Sequence, residues 1–297
     1  MDQASGLRKQ MSNNLTKAQT VTREKPMNHA PRVMAVTSGK GGVGKTNVAG
    51  NLGVAFAALG KRVLIFDADL GLANIDILFG LNPEFNIGHV ISGEKSLKQV
   101  LVDISPNVSV IPAGSGLADL TQLTEGQKLN LLSEFETIDA DFDICLIDTG
   151  AGISDNVIYF NISADECIVV ATPEPTSITD AYALIKVMSL QHGTQYFRLL
   201  VNMVEDEQEA KMVYLNLSQA ADRFLNGVLI EYIGFVQRDP HINRAVASRT
   251  PVLNLFPDAL ASIQLKQIAG YLNNNPPQYN QEGNMKFFLK RFISYSE

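Results

Sequence analysis

The sequence predicts an α/β fold: a mostly parallel, doubly wound sheet in a single domain with flexible tails. Two observations carry that expectation. Seven short apolar runs (VMAV, RVLIFD, VSVI, DICLID, ECIVVAT, FRLLVN and VLIEYIGFV) are nearly unalternated. Strands buried on both faces of a parallel sheet read this way. Between the runs lie stretches of helical periodicity, at 47–59, 128–135, 176–190 and 207–225. Strand–helix alternation of this kind implies a parallel sheet, with ligands bound beyond the C-terminal strand ends.

The chain has 297 residues, 45% of them apolar, enough for a large core. Its charged fraction of 19% argues against wholesale disorder. No apolar run reaches the roughly 18 residues of a spanning helix, and the N-terminus has no apolar signal region. Cys145 and Cys167 sit inside apolar runs and read as buried, reduced thiols. These features point to the cytoplasm.

The net charge of −7 is unevenly spread. Residues 1–32 hold six basic groups against Asp2 and Glu24, a balance of +4. The last fourteen residues carry +2, leaving −13 for the middle. An acidic body with basic ends argues against DNA as a partner and favours contacts made by the tails.

The first apolar run leads into Gly39-Lys40-Gly41-Gly42-Val43-Gly44-Lys45-Thr46. This satisfies GxxxxGK[ST] between a predicted strand and a predicted helix, the context that a phosphate loop requires. The glycines turn backbone N–H groups around phosphate oxygens, and the helix N-terminus adds positive potential. Lys45 then reaches the β- and γ-phosphates, and the Thr46 hydroxyl is suited to Mg²⁺. Two acidic segments follow further strands: Asp67-Ala68-Asp69 with Leu70 to Asp76 behind it, and Asp143 to Asp148 running into Thr149-Gly150-Ala151-Gly152. Carboxylates at C-terminal strand ends face the phosphates, where they order a metal shell or the attacking water. Asp76 reads as a loop cap.

The KGGxGK[ST] form, with Lys40 as an extra early lysine, resembles the deviant Walker motif of the MinD/ParA family of ATPases. The resemblance extends from Arg32 to about Tyr271. It implies ATP with Mg²⁺, a homodimer formed on ATP binding, and a Lys40 that crosses to the partner's phosphates. It also implies that Asp69 orients the hydrolytic water, that Thr46 and Asp148 hold the metal, and that Asp67 is a structural or metal-shell partner. Gly39, Gly41, Gly42, Val43, Gly44, Lys45, Thr46 and Asn47 form the phosphate side of the ATP site. Asn202, ending FRLLVN, and Arg238-Asp239, after EYIGFV, fall where the family holds the base. No guanine-reading NKxD occurs, so ATP is expected over GTP. Family members often carry a proline where Thr149-Gly150-Ala151 stand here, which puts the stiffness of that loop in doubt.

Composition divides the chain into an N-terminal tail (1–31), a body (32–272), a linker (273–283) and a terminal segment (284–297). On a helical wheel Met285, Phe288, Leu289, Phe292 and Ile293 share one side, opposite Lys286, Lys290 and Arg291. Such a helix suits an anionic membrane surface, and two copies in a dimer would bind by avidity. At the other end Asp2, Gln3, Ala4, Leu7 and Arg8 resemble the DQAxxLR element of the flagellar-number regulators within the MinD group. In that group the element stimulates FlhF, an SRP-type GTPase; flagellar basal-body components are further candidate partners. The expectation is a cytoplasmic ATPase switch, reversibly peripheral at the inner membrane face. The rival readings are a ParA-like DNA- or cargo-positioning ATPase and an ATP-bound adaptor without turnover.

Overall fold

The computed structural model describes residues 31–69, 74–114 and 123–277. The Asp2–Arg8 element, the segment 284–297 and Leu70 to Ala73 therefore lie outside the described residues. The body is an eight-stranded sheet in the order β3-β4-β2-β5-β1-β6-β7-β8. Its strands are β1 (Arg32–Ser38), β2 (Val63–Ala68), β3 (Val102–Ser105), β4 (Val108–Ile111), β5 (Ile144–Ala151), β6 (Glu166–Ala171), β7 (Tyr196–Val204) and β8 (Leu229–Gln237). All neighbours pair in parallel except β3 and β4.

Alternating residues of one strand serve opposite cores, which explains the unalternated runs. Met34 and Val36 on β1 pack with Val48, Leu52 and Phe56 of α1 (Lys45–Ala58) and with Leu265, Ile268 and Leu272 of α11 (Leu260–Asn274). Val33 and Ala35 face the other way, towards Phe135 of α5 (Glu125–Glu136) and Phe160 of α6 (Asp155–Ser163). On that side, further along the sheet, α7 (Pro175–His192) and α8 (Glu207–Phe224) cover β6 and β7 through Leu184, Met188, Val213 and Leu217. Both faces are buried, as a parallel sheet requires.

The remaining helices are short: α2 (Asn74–Phe79), α3 (Ile87–Ile91), α4 (Leu97–Val100), α9 (Pro240–Ala247) and α10 (Val252–Leu255). Asp76 lies in the first turn of α2, and its Oδ1 makes no hydrogen bond among the described residues. The expected helix at 128–135 starts earlier, at Glu125, because Thr124 and Gln127 form a reciprocal cap.

The two ends of the body meet at the pole opposite the phosphate loop. Arg32 donates to Glu166 at 2.7 Å and to the Leu272 carbonyl at 2.6 Å. Arg198, only 2% exposed, donates to Glu166, to Glu231 at 2.8 Å and to the Asn275 carbonyl at 2.6 Å. Tyr271 closes the network with a 2.5 Å bond to Glu231. The C-terminus of α11 is tied down by charge-assisted bonds, and ordered chain continues past the residue where composition changes.

Candidate functional site: the phosphate loop and its surroundings

Strand β1 runs into the loop at Ser38, and α1 starts at Lys45. Gly44 precedes that helix at φ 88°, a left-handed conformation that favours glycine, and a Cβ there would stand 2.4 Å from Asn202 Nδ2. No side chain caps α1, so its first N–H groups are free to bind phosphate oxygens. Gly39 is needed for another reason. A Cβ on it would fall 2.0 Å from the Asp180 carbonyl oxygen, so the loop lies directly against the α7 backbone.

Asp67 and Asp148 are side by side in the β2–β5 register, and both are fully buried. Asp67 accepts from Asp69 N at 3.2 Å and Ile75 N at 3.1 Å, so one carboxylate ties the end of β2 to the start of α2. Burial, reinforced by the Asp148 charge, pushes Asp67 up to about 8. Burial likewise raises Asp148 to about 6, against the opposing pull of the Lys45 ammonium and the nearby Thr46 hydroxyl. Neither Asp148 oxygen makes a hydrogen bond of normal geometry among the described residues.

A buried, unpaired carboxylate beside a hydroxyl and a lysine fits Mg²⁺, which binds through one or two protein oxygens plus waters and phosphates. No cluster of three or more His, Cys, Asp or Glu among the described residues could cage a metal without substrate. Thr46 and Asp148 are the residues that would hold it. The ion would shield phosphate charge and polarise the γ-phosphoryl group.

Asp69 leans towards the end of β5, with Oδ1 3.9 Å from a Cβ built on Gly150. The Thr149-Gly150-Ala151 stretch, expected as a loop, is strand here; it carries no proline and stays zipped to β1: Ser38 pairs with Ala151, and Gly152 N donates to the Ser38 carbonyl at 2.9 Å. A proline in it would remove a ladder donor.

Lys40 is held by its own chain. Its Nζ donates to Glu174 Oε2 at 2.6 Å and to Thr176 Oγ1 at 2.9 Å, and the bond from Lys40 holds the Glu174 carboxyl below its ordinary value. Sequence reasoning gave neither acceptor a role. Their only signal is polar residues at the start of α7, which any solvated helix end shows.

A cavity of about 540 Å³ opens beside the loop, and Asn47, Asn202, Arg238 and Asp239 line it together. Asn202 donates to the Val43 carbonyl at 2.8 Å, stitching β7 to the loop. Arg238 donates to the Met203 carbonyl at 3.0 Å and covers the rim. The Asp239 carboxylate is committed elsewhere: it accepts from His241 N at 2.9 Å and Ala261 N at 3.1 Å, so it orders the wall of the cavity. Gln237, which opens the loop expected to cover the base, lines it too, as does Asn243, which the sequence reading missed.

This geometry defines a P-loop ATPase of the MinD/ParA type. A family model described as an AAA domain matches residues 31–198. Similar to the chain are the antiactivator FleN of Pseudomonas aeruginosa and the flagellum site-determining protein YlxH of Helicobacter pylori. FleN is 41% identical over 267 residues, covering 90% of this chain and 95% of FleN. YlxH is 34% identical over 268 residues, covering 89% and 90%. The septum site-determining protein MinD of Pyrococcus horikoshii, solved with Mg-ADP, shares the fold at TM-score 0.66 and 22% identity, over 82% of this chain and 96% of that one. The chain belongs to the FlhG family of MinD-type ATPases, which includes FleN and YlxH. It is an ATP-hydrolysing enzyme that uses ATP with Mg²⁺.

Proposed function

We propose that the chain is an ATP-driven dimerisation and membrane switch that controls flagellar number or placement. The observation that carries this is the 41% identity to the antiactivator FleN across nine-tenths of the chain, together with a phosphate loop that carries the extra lysine, Lys40.

In this scheme the α1 N-terminus and the Gly41 to Thr46 backbone bind the phosphates, and Lys45 neutralises the β- and γ-oxygens. Thr46 and Asp148 hold the metal. Asn202 presents its amide oxygen to an amino group, which suits adenine, while Arg238 covers the base. Two subunits meet face to face, Lys40 of each reaches the phosphates of the other, and Asp69 orients water for in-line attack. Loss of the γ-phosphate relaxes the segments after β2 and β5, and the dimer separates. The apolar stripe Met285, Phe288, Leu289, Phe292 and Ile293 binds an anionic membrane only as a pair, so nucleotide state gates attachment. No helix among the described residues is long and apolar enough to cross a membrane. The N-terminal Asp2, Gln3, Ala4, Leu7 and Arg8 engage the SRP-type GTPase FlhF, and the body reaches flagellar basal-body components.

The test is GTP hydrolysis by the cognate SRP-type GTPase with a peptide of residues 1–20, against scrambled and Gln3→Ala peptides. Sequence-dependent stimulation supports the reading. Equal rates with all three peptides would remove the activator role and leave the ATPase in place.

A further inference from the structure

Strand β5 carries one extra residue just past Asp148. Val36 of β1 stands opposite Asp148, but Ser38 stands opposite Ala151, so Thr149 and Gly150 together face Thr37. Bulges are uncommon in parallel pairs, and they gather beside active sites, where they break the regular ladder. Side chains bridge this one. The Thr149 hydroxyl lies 3.2 Å from the Val36 carbonyl and 2.9 Å from that of Gly150, so its one proton serves both sides of the bulge. Opposite it, the Thr37 hydroxyl accepts from Asn161 Nδ2 of α6 at 3.0 Å. Ser38 then joins two segments. Its carbonyl accepts from Gly152 N at 2.9 Å, and its hydroxyl donates to the Lys40 carbonyl in the phosphate loop at 2.8 Å. Ser38 and Thr149 are both fully buried.

We propose that Thr149 and Ser38 are positioning residues that clamp the bulged end of β5 to the root of the phosphate loop, so that Asp148 and the loop backbone move as one body during ATP hydrolysis. The inference rests on ATP hydrolysis alone and needs neither the dimer nor the membrane. Thr149 follows Asp148 directly, and Ser38 directly precedes the glycine that opens the loop. The two hydroxyls therefore act in series along one path from carboxylate to loop. In-line attack depends on the phosphates and the groups around them holding a near-attack geometry, and a small misplacement slows it without loosening the nucleotide. A buried hydroxyl bond shifts a local equilibrium about five- to tenfold, which sets the scale of the effect. Because the links are in series, breaking either one frees the segment, and breaking the second adds little.

The experiment uses the full chain as wild type, Thr149→Val, Thr149→Ser, Ser38→Ala and the double variant Ser38→Ala with Thr149→Val, with two readouts. The first is hydrogen exchange at the Gly152 amide in nucleotide-free protein. Exchange should be about five- to tenfold faster in Thr149→Val and at the wild-type rate in Thr149→Ser. The second is ATP turnover per binding site, with sites and affinity counted by calorimetry so that a misfolded fraction does not enter the rate. Turnover should fall about five- to tenfold in Thr149→Val and in Ser38→Ala, with affinity within about twofold of wild type, and Thr149→Ser should restore it. The double variant should be no slower than about twice the worse single one. Unchanged Gly152 exchange in Thr149→Val would overturn the clamp. Faster exchange with unchanged turnover would overturn its part in hydrolysis, and multiplied losses in the double variant would overturn the single path. If Thr149→Val does not fold, Ser38→Ala, which leaves every backbone bond in place, decides by its turnover, and a wild-type rate there overturns the proposal.

Discussion

Replacing Arg198 by methionine tests how the body is held together at the pole away from the nucleotide. The guanidinium is almost fully buried and donates to Glu166, to Glu231 at 2.8 Å, to Tyr196 Oη at 3.2 Å and to the Asn275 carbonyl at 2.6 Å. Methionine preserves the stem packing but leaves Glu166, itself fully buried, balanced by Arg32 alone. Removing one partner from a buried pair costs about 3–5 kcal/mol, because the surviving charge keeps its desolvation penalty. At roughly 2–4 °C per kcal/mol for a domain of this size, the midpoint should drop by about 6–20 °C. Urea titration followed by circular dichroism measures the loss, and hydrogen exchange at 272–275 should rise, since the α11 terminus loses its anchor. Adding Glu166→Gln to Arg198→Met should recover part of the loss. A loss below about 1 kcal/mol, or a double variant no better than the single one, would refute the argument from buried charge.

Three further outcomes follow from the site. Gly44→Ala should abolish nucleotide binding measured by calorimetry, since the new Cβ meets Asn202 and the left-handed φ costs about 1–2 kcal/mol. Without metal, Asp67 near 8 and Asp148 near 6 hold protons more tightly folded than unfolded, so their contribution to stability is full below about pH 4. It is lost as pH rises through 6 and 8, so thermal midpoints in EDTA should decline over that range and flatten in Asp67→Asn. Phe292→Asp should eliminate ATP-dependent sedimentation with anionic vesicles while leaving ATP binding unchanged, because a charge enters the apolar stripe.

How much of this was legible in the sequence differs from residue to residue. The central strands were, because Val63 to Asp67 and Ile144 to Asp148 are buried on both faces and their apolar runs have no other explanation. The phosphate loop was, because its glycines and lysine at fixed spacing serve one chemistry. The edge hairpin of β3 and β4 was only half visible: Val102–Ser105 alternates half-buried and exposed residues over four positions, too few to stand out. The end of the body was hidden as well. Asn273 to Asn275 read as linker, yet the Asn275 carbonyl is held by Arg198 more than seventy positions away. Composition cannot show a bond of that range. The same blindness concealed the cis partners of Lys40, since a glutamate and a threonine at a helix start are ordinary. Nor could it show that the carboxylate of Asp239, a residue that does line the cavity, serves the backbone of α9 and α11.

The most direct test of the switch is sedimentation of Asp69→Ala with Mg²⁺ and ATP, alongside the wild type with ADP. The account predicts that this variant binds ATP, hydrolyses none of it and accumulates as a dimer, whereas the wild type with ADP is a monomer. An ATP-loaded Asp69→Ala protein that remains monomeric, or one that turns ATP over at the wild-type rate, would contradict it.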